Sequence, residues 1–175
     1  ENVDHVLAGL SGLKAVPGRL ESVDQGQDFH VFVDYAHTDS AVETVLRLLK
    51  TLPRNKIITV IGCGGDRDKS KRGPMGVAAC LHSDAVILTS DNPRSEEPAG
   101  ILADIEAGLR TAGLQNYRML PDRGEAIAAA IALARAGDVV LIAGKGHEDH
   151  QILRERTIAF DDREAARAVP RGLKR

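Results

Sequence analysis

Two short loops hold the side chains of this sequence that are best suited to bind a charged ligand. Residues 89–94 read TSDNPR, and residues 143–149 read AGKGHED. Each loop follows a short apolar run, AVIL at 85–88 in the first case and VVLI at 139–142 in the second. Such runs are typical of strands buried on both faces of a parallel sheet. Because ligands bind at the carboxyl ends of such strands, both loops are candidates for a binding site.

The two loops offer opposite charges. The first contributes the guanidinium of Arg94 and the amide of Asn92, and the second contributes the carboxylate of Glu148. A carboxylate at Glu148 is well placed to neutralise an ammonium group. Together these groups suit a ligand that carries both negative and positive charge, such as an amino acid.

Composition places the chain among ordinary globular domains. It has 175 residues, of which 43% are hydrophobic and 27% charged, and this suits one domain with a core. A net charge of −2 and an aromatic content of 3% argue against a nucleic-acid surface. No apolar run has the length of a membrane span, and the first residues lack a signal peptide's layout. Cys63 and Cys80 have neither disulfide nor metal-site spacing, which favours reduced thiols in a cytoplasmic protein.

Strand and helix patterns alternate along the chain. A helix is expected at Val3–Leu13, and Leu20–Val23 with His30–Val33 is expected to form a hairpin. The other expected strands are Lys56–Ile61, Ala85–Leu88, Tyr117–Leu120, Val139–Ala143 and Thr157–Phe160, the last two forming a pair. The other expected helices are Ala41–Leu52, Met75–His82, Ile101–Thr111, Glu125–Arg135 and Arg163–Val169. This alternation predicts an α/β fold, a three-layer Rossmann-like domain with a mostly parallel sheet.

A glycine-rich loop, GCGGDRDK at 62–69, matches neither of two common phosphate-binding patterns. A P-loop needs Ser or Thr after its Gly-Lys pair, and Gly146 follows Lys145 here. A dinucleotide fingerprint that begins at Gly62 would need glycine where Arg67 stands. The loop is therefore interpreted as one that approaches a ligand closely and presents Arg67. The alternative is a solvated turn whose charges satisfy one another.

The histidines and cysteines suggest no nucleophilic centre. His37 lies just past a predicted strand, where a histidine is more often structural than catalytic. His147 could brace the neighbouring loop or face a ligand. Cys63 has no adjacent base, and no Ser/His/Asp or Cys/His arrangement can be assembled from the sequence.

Six segments, taken in order, resemble the C-terminal domain of the Mur ligases. They are Pro17–Glu21, Asp34–Thr38, Gly62–Arg67, Asp91–Arg94, Gly144–Asp149 and Asp161–Glu164. Within that family the chain is similar to the ligases that add meso-diaminopimelate to UDP-N-acetylmuramoyl-L-Ala-D-Glu in peptidoglycan synthesis. The resemblance runs from about Pro17 to the end of the chain, and six ordered motifs are far more specific than any one of them.

The resemblance implies an ATP-dependent amide-bond ligase. In such an enzyme an acyl phosphate is attacked by the incoming amine, and ADP and phosphate are released. Family members have three domains, so residues 1–16 are expected to be the closing helix of the central ATPase domain and residues 17–175 the C-terminal domain. ATP, Mg²⁺ and the UDP-N-acetylmuramoyl-dipeptide would be bound mainly by the two other domains, and this chain alone should not catalyse ligation.

The resemblance also implies site residues. The amino-acid site carries over to Arg67, Asp91, Asn92, Pro93, Arg94, Gly144 and Glu148, and the nucleotide-facing side to Arg19, Asp34 and His37. The distal carboxylate of diaminopimelate suits Arg94, with help from Asn92, and its ammonium suits Glu148 and the carbonyl of Gly144. Family members that add lysine lack this arginine, so Arg94 is expected to set substrate choice. Asp39 replaces the family's usual proline and is expected to cap the next helix.

Two alternatives remain open. One is a related ATP-dependent ligase, such as a folylpolyglutamate synthetase, which adds glutamate; the sequence at 91–94 together with Glu148 argues against it. The other is a free-standing α/β module that binds amino acids without catalysis. A P-loop sequence upstream of Glu1 would separate a ligase from such a module.

Overall fold

The computed structural model describes residues 16–169. The helix expected at Val3–Leu13 and the domain expected at 1–16 fall outside the described residues, apart from residue 16. Within the described part, no helix is long and apolar enough to cross a lipid bilayer.

Six strands form the main sheet, in the order β1-β2-β6-β3-β4-β5. They are β1 (Glu21–Ser22), β2 (His30–Asp34), β3 (Ile57–Ile61), β4 (Ala85–Leu88), β5 (Tyr117–Met119) and β6 (Val139–Ala143). Among the strands of residues 16–169 in this sheet, only β1 runs antiparallel to its neighbour, and the other four pairs are parallel. In the register, Ile142 of β6 lies between Val33 and Val60. The carboxyl ends of β2, β6, β3 and β4 therefore meet at one edge of the sheet.

Helices cover both faces of this sheet. They are α1 (Asp39–Leu49), α2 (Arg72–His82), α3 (Pro98–Thr111), α4 (Arg123–Leu133) and α5 (Asp162–Ala168). Alternate strand residues point to opposite faces. Val139 and Leu141 accordingly join the core formed with α1, α2 and α3, whereas Val140 and Ile142 join the core formed with α4 and α5. These two cores confirm the predicted three-layer α/β fold.

The start of α1 differs from the prediction. Thr38 has extended backbone angles, and its Oγ1 accepts a hydrogen bond from Ala41 N at 3.2 Å. Thr38 is therefore the capping residue, and Asp39 is the first helical residue. The prediction that Asp39 caps this helix was wrong because the neighbouring threonine already has cap geometry. Asp39 instead adds a negative charge at the helix N-terminus, which is favourable there.

The expected pairing of residues 157–160 with 139–143 was also wrong. Residues Thr157–Ala159 form β8, which pairs antiparallel with β7 (His150–Ile152) in a separate two-stranded sheet. The sequence of β7, HQI, has no apolar alternation and was not predicted to be a strand. Its Gln151 is buried and donates from Nε2 to the Asp91 carbonyl at 2.7 Å. This second sheet is thus held against the loop that follows β4.

Candidate functional site

A pocket of about 390 Å³ lies at the carboxyl ends of β3, β4 and β6, a volume typical of small-molecule sites. Six of the seven residues predicted for the amino-acid site line it: Arg67, Asp91, Asn92, Arg94, Gly144 and Glu148. Pro93 is buried and does not line the pocket. Of the residues predicted to face a nucleotide, His37 lines the pocket, whereas Arg19 and Asp34 do not.

Glycines let the loops after β3 and β4 pack directly on each other. A Cβ at Gly62 would collide with the Thr89 carbonyl oxygen, and one at Gly65 would collide with that of Pro93. Gly65 N donates to the Asn92 carbonyl at 2.9 Å across the same contact. Any larger side chain at these two positions would force the two loops apart.

Charged side chains tie the same two loops together. Asp66 accepts hydrogen bonds from the backbone and hydroxyl of Ser95, at 3.2 and 2.5 Å. Glu96 accepts from Arg72 and from Asp66 N, and these contacts hold the pKa of Glu96 down at about 2. Arg67 has no hydrogen-bond or ion-pair partner among residues 16–169 and is exposed at the pocket. Its neighbours are thus satisfied within the protein, whereas Arg67 itself is free for a ligand.

Arg94 combines an unusual backbone conformation with a partly free guanidinium. Its φ of 51° lies in the left-handed region, which costs residues other than glycine about 1–2 kcal/mol. Its Nη1 donates to the carbonyls of Gly65 at 2.8 Å and Asn92 at 3.3 Å. Nε and Nη2 have no partner among the described residues, so Arg94 can still meet a carboxylate in the pocket.

Glu148 is held by two polar side chains. Its Oε2 accepts from Asn92 Nδ2 at 2.8 Å and from Lys145 Nζ at 3.0 Å. Lys145 is fully buried and also donates to Asn92 Oδ1, which accepts a further bond from Ile152 N. Partial burial raises the pKa of Glu148, but the bonds from Asn92 and Lys145 and the charge of Lys145 outweigh it, so the pKa is lowered. Glu148 is therefore an ionised carboxylate at the pocket wall.

A buried ion pair near Asp91 was not predicted from the sequence. Arg123, at the start of α4, donates to both carboxylate oxygens of Asp162 at 2.7 Å, and both side chains are fully buried. The same guanidinium donates to the carbonyls of Ser90 and Ala143. Burial raises the pKa of Asp91, while the charge of Arg123 opposes this effect. Arg123 thus joins the end of β4 to the end of β6.

The residues predicted to face a nucleotide gather at the end of β2. The Asp34 carboxylate is buried and accepts from Ala36 N and Leu20 N, each at 2.8 Å. The guanidinium of Arg19 lies 4.9 Å from the ring centre of Tyr35. The imidazole rings of His37 and His147 pack against the same tyrosine ring, with centroid distances of 4.6 Å and 5.5 Å. Asp34 therefore positions a surface that exposes Arg19 and His37.

Cys63 lies at the pocket floor as a protonated thiol. Burial, followed by the charge of Asp91, raises its pKa to about 12, and its Sγ lies 3.7 Å from Met75 Sδ. Cys80 is also a free buried thiol, and burial raises its pKa to about 11. A thiol with so high a pKa is a poor nucleophile at neutral pH, so Cys63 contributes shape to the pocket floor.

Comparison with known proteins agrees with the six motifs. The family model for the Mur ligase, glutamate ligase domain, matches residues 18–146. UDP-N-acetylmuramoyl-L-alanyl-D-glutamate–2,6-diaminopimelate ligase from Solibacter usitatus is 53% identical over 95% of this chain and 34% of its own length. A solved structure of a ligase with the same name superposes with a TM-score of 0.82 at 40% identity, covering 97% of this chain and 34% of that one. The chain spans about a third of the length of the relatives it matches.

A more distant similarity shows only a shared fold. Folylpolyglutamate synthase from Mycobacterium tuberculosis superposes with a TM-score of 0.60 at 20% identity, covering 82% of this chain and 33% of that one. With the family match over 18–146, the similarities confirm the resemblance inferred from the sequence motifs. The chain therefore belongs to the Mur ligase family and contains its glutamate ligase domain.

Proposed function

We propose that this chain is the C-terminal domain of an ATP-dependent ligase that adds meso-diaminopimelate to UDP-N-acetylmuramoyl-L-Ala-D-Glu in peptidoglycan synthesis. One observation carries the proposal: a single pocket presents the free donors of Arg94 and Arg67 together with the carboxylate of Glu148. That arrangement complements the distal end of diaminopimelate, which bears both a carboxylate and an ammonium group. The similar proteins described above are 2,6-diaminopimelate ligases by name, which supports the same substrate.

The charged residues at one end of the pocket each have a physical role in this proposal. The distal carboxylate of diaminopimelate meets Nε and Nη2 of Arg94, with Arg67 beside it. The distal ammonium meets Glu148 and the Gly144 carbonyl, close to Asp91. Lysine lacks the distal carboxylate and would leave Arg94 without its anionic partner, which is how the site selects diaminopimelate.

Asn92 and Pro93 support these contacts indirectly, and the lack of a side chain at Gly144 supports them as well. Asn92 contacts protein groups through both its amide nitrogen and its amide oxygen, so it helps the ligand by fixing Glu148. The buried Pro93 shapes the turn before Arg94. A Cβ at Gly144 would lie 2.8 Å from Asp91 Oδ2, so glycine lets that carboxylate approach the end of β6.

We further propose that ATP and Mg²⁺ bind mainly to parts of the ligase outside this chain, as does the UDP-N-acetylmuramoyl-dipeptide. The family's chemistry converts the D-glutamate carboxylate to an acyl phosphate with ATP. This chain would orient the amine that attacks it, and Arg19 and His37 would face the nucleotide. The free cysteines suit a cytoplasmic enzyme.

An amino-acid selectivity assay tests the proposal. The ligase that carries this chain is supplied with ATP, UDP-N-acetylmuramoyl-L-Ala-D-Glu and either meso-diaminopimelate, lysine or glutamate, and ADP release and product mass are measured. We expect product with diaminopimelate and little with the other two. The 175-residue chain, which contains no P-loop sequence, is the control and should release no ADP. Glutamate addition to a folate would favour the folylpolyglutamate alternative, and amino-acid binding without ligation would favour the binding module.

Replacing Asp34 by alanine should weaken ATP use selectively. The change removes two charge-assisted bonds to backbone N–H groups and so releases the segment that carries Arg19. Each such bond contributes about 1.5–3 kcal/mol, so we expect KM for ATP to rise about tenfold. KM for diaminopimelate should change less than about twofold, because the amino-acid contacts lie on the loops after β3, β4 and β6.

A matched control is Asp24→Ala. Asp24 accepts a hydrogen bond from Gly26 N in the exposed turn between β1 and β2, away from the pocket. This variant should leave both KM values unchanged. If Asp34→Ala raises both KM values by the same factor, Asp34 supports the whole edge of the sheet and the separation of the two sides is wrong.

A further inference from the structure

Lys145 is a fully buried cation that the proposed binding contacts do not use. It follows Gly144 at the end of β6, and its side chain has 0% exposure. We infer that Lys145 is a positioning residue, which holds Glu148 so that one defined carboxylate oxygen faces the distal ammonium of the incoming amino acid. This inference rests on the proposed function, since it concerns how the same site recognises its substrate.

The backbone places Lys145 and Glu148 side by side. Glu148 N donates to the Lys145 carbonyl at 3.0 Å, which closes a turn between the two residues. Gly144 and Gly146 flank Lys145 with φ values of 116° and 54°, conformations that other residues rarely adopt. This turn brings Lys145 Nζ to 3.0 Å from Glu148 Oε2, and Glu148 lines the pocket whereas Lys145 does not.

The hydrogen bonds leave Glu148 with one free oxygen. Oε2 accepts from both Lys145 Nζ and Asn92 Nδ2, whereas Oε1 has no partner among the described residues. Lys145 also bonds to Asn92 Oδ1, so the three side chains form a closed triangle. Rotation of the carboxylate would break two bonds at once. Oε1 is therefore held toward the pocket, which Glu148 lines.

Lys145 also balances the charges that surround Glu148. The charged or titratable groups that act on this carboxylate are Asp91, Arg123, Lys145 and His150. The positive charge of Lys145 lowers the pKa of Glu148 and opposes the increase that burial causes at Asp91. Without Lys145, the neighbouring carboxylates of Asp91 and Glu148 would share the charge of Arg123, with His150 acting on Glu148 alone. One of them would then bind a proton more readily, and its attraction for an ammonium would be lost.

Substitution at Lys145 separates this role from a purely structural one. Lys145→Met keeps most of the side-chain volume without the charge, and Lys145→Gln keeps an amide donor, so it remains informative if the methionine variant folds poorly. The matched control is Lys56→Met, an exposed lysine just before β3 at the opposite edge of the sheet. In the ligase that carries this chain, kcat and the KM values for meso-diaminopimelate and ATP are measured between about pH 6 and pH 9.

We expect both Lys145 variants to raise KM for diaminopimelate about tenfold at pH 6, since an adjacent opposite charge lowers a carboxyl pKa by about 1–3. The ratio of variant to parent KM should then fall as the pH rises and Glu148 ionises again. KM for ATP and kcat should stay within about twofold, and the Lys56 control should match the parent. In a Glu148→Gln background, replacing Lys145 should change KM less than about twofold, because the two residues act as one unit.

Three results would count against the inference in distinguishable ways. An increase in both KM values that is the same at every pH would show that Lys145 only supports the fold. Additive effects of Lys145→Met and Glu148→Gln would show that Lys145 does not act through Glu148. If the parent enzyme itself fails to use diaminopimelate, the proposed function is overturned, and this inference with it.

Discussion

Replacing Arg94 by alanine is expected to lower kcat/KM for meso-diaminopimelate by roughly tenfold to a hundredfold, because a charge-assisted bidentate contact contributes about 1.5–3 kcal/mol. Lysine has no carboxylate at its distal end, so its use, which we expect to be poor in the parent, should stay the same or improve slightly. The structure supports this expectation, since Nε and Nη2 of Arg94 have no partner in the described part of the chain. Steady-state kinetics with both amino acids measures the difference.

Kinetics with lysine also serve as the control for any disturbance of the loop that carries Arg94. Arg94 Nη1 braces the Gly65 and Asn92 carbonyls, so truncation could loosen the pocket wall as well as remove a ligand contact. Arg94→Lys keeps a positive charge without the planar fork, and it should lie between the parent and the alanine variant. Arg154→Ala removes a nearby exposed arginine that pairs with Glu97, and it should change neither substrate. Equal losses for both substrates in Arg94→Ala would make Arg94 a structural residue of the loop.

Replacing Asp162 by alanine is expected to lower the free energy of unfolding by about 3–5 kcal/mol, because it leaves a buried guanidinium without its counter-ion. Arg123 and Asp162 are fully buried and joined by two 2.7 Å hydrogen bonds. Urea denaturation of the chain, followed by circular dichroism, measures the change. The matched control is Glu164→Ala in the same helix, which breaks an exposed pair with Arg167 and should cost less than about 1 kcal/mol.

The double variant Arg123→Met/Asp162→Leu separates charge burial from packing. Replacing both members of a buried ion pair by apolar groups is often neutral or stabilising. The double variant should therefore recover much of the stability that Asp162→Ala loses. Arg123 also donates to the Ser90 and Ala143 carbonyls, which the double variant leaves without that donor. Recovery of stability is therefore expected to be incomplete. A loss below about 1 kcal/mol for Asp162→Ala would show that the pair is not important for stability.

The sequence predicted the buried parts of the fold well. All five residues of β3 and all five of β6 are buried, and continuous apolar runs of this kind identify strands that are covered on both faces. The hairpin strand β7 was missed because its sequence, HQI, is short and polar. Its position depends on tertiary contacts, such as the bond from Gln151 to the Asp91 carbonyl, which no local pattern reveals.

The sequence likewise predicted the residues that line the pocket better than the buried charged residues that hold them in place. Arg94 and Glu148 could be brought together because both follow buried strands that run in parallel. Lys145 and Arg123 were not identified, since charged residues are almost always exposed unless they are paired. One signal was available for Lys145: it lies between two glycines directly after the apolar run at 139–143, so its backbone is held close to the core. No such signal was available for Arg123, because its partner Asp162 is 39 residues away in the sequence.

A crystal structure of the ligase with meso-diaminopimelate tests the central proposal most directly. The ligand should occupy the pocket at the ends of β3, β4 and β6, with its distal carboxylate about 3 Å from the Arg94 guanidinium and its distal ammonium about 3 Å from Glu148 Oε1. The reacting amine should point out of the pocket, toward the nucleotide-facing side at Arg19 and His37. Density for the amino acid at another place, or a distal end without contact to Arg94 and Glu148, would contradict the proposed site.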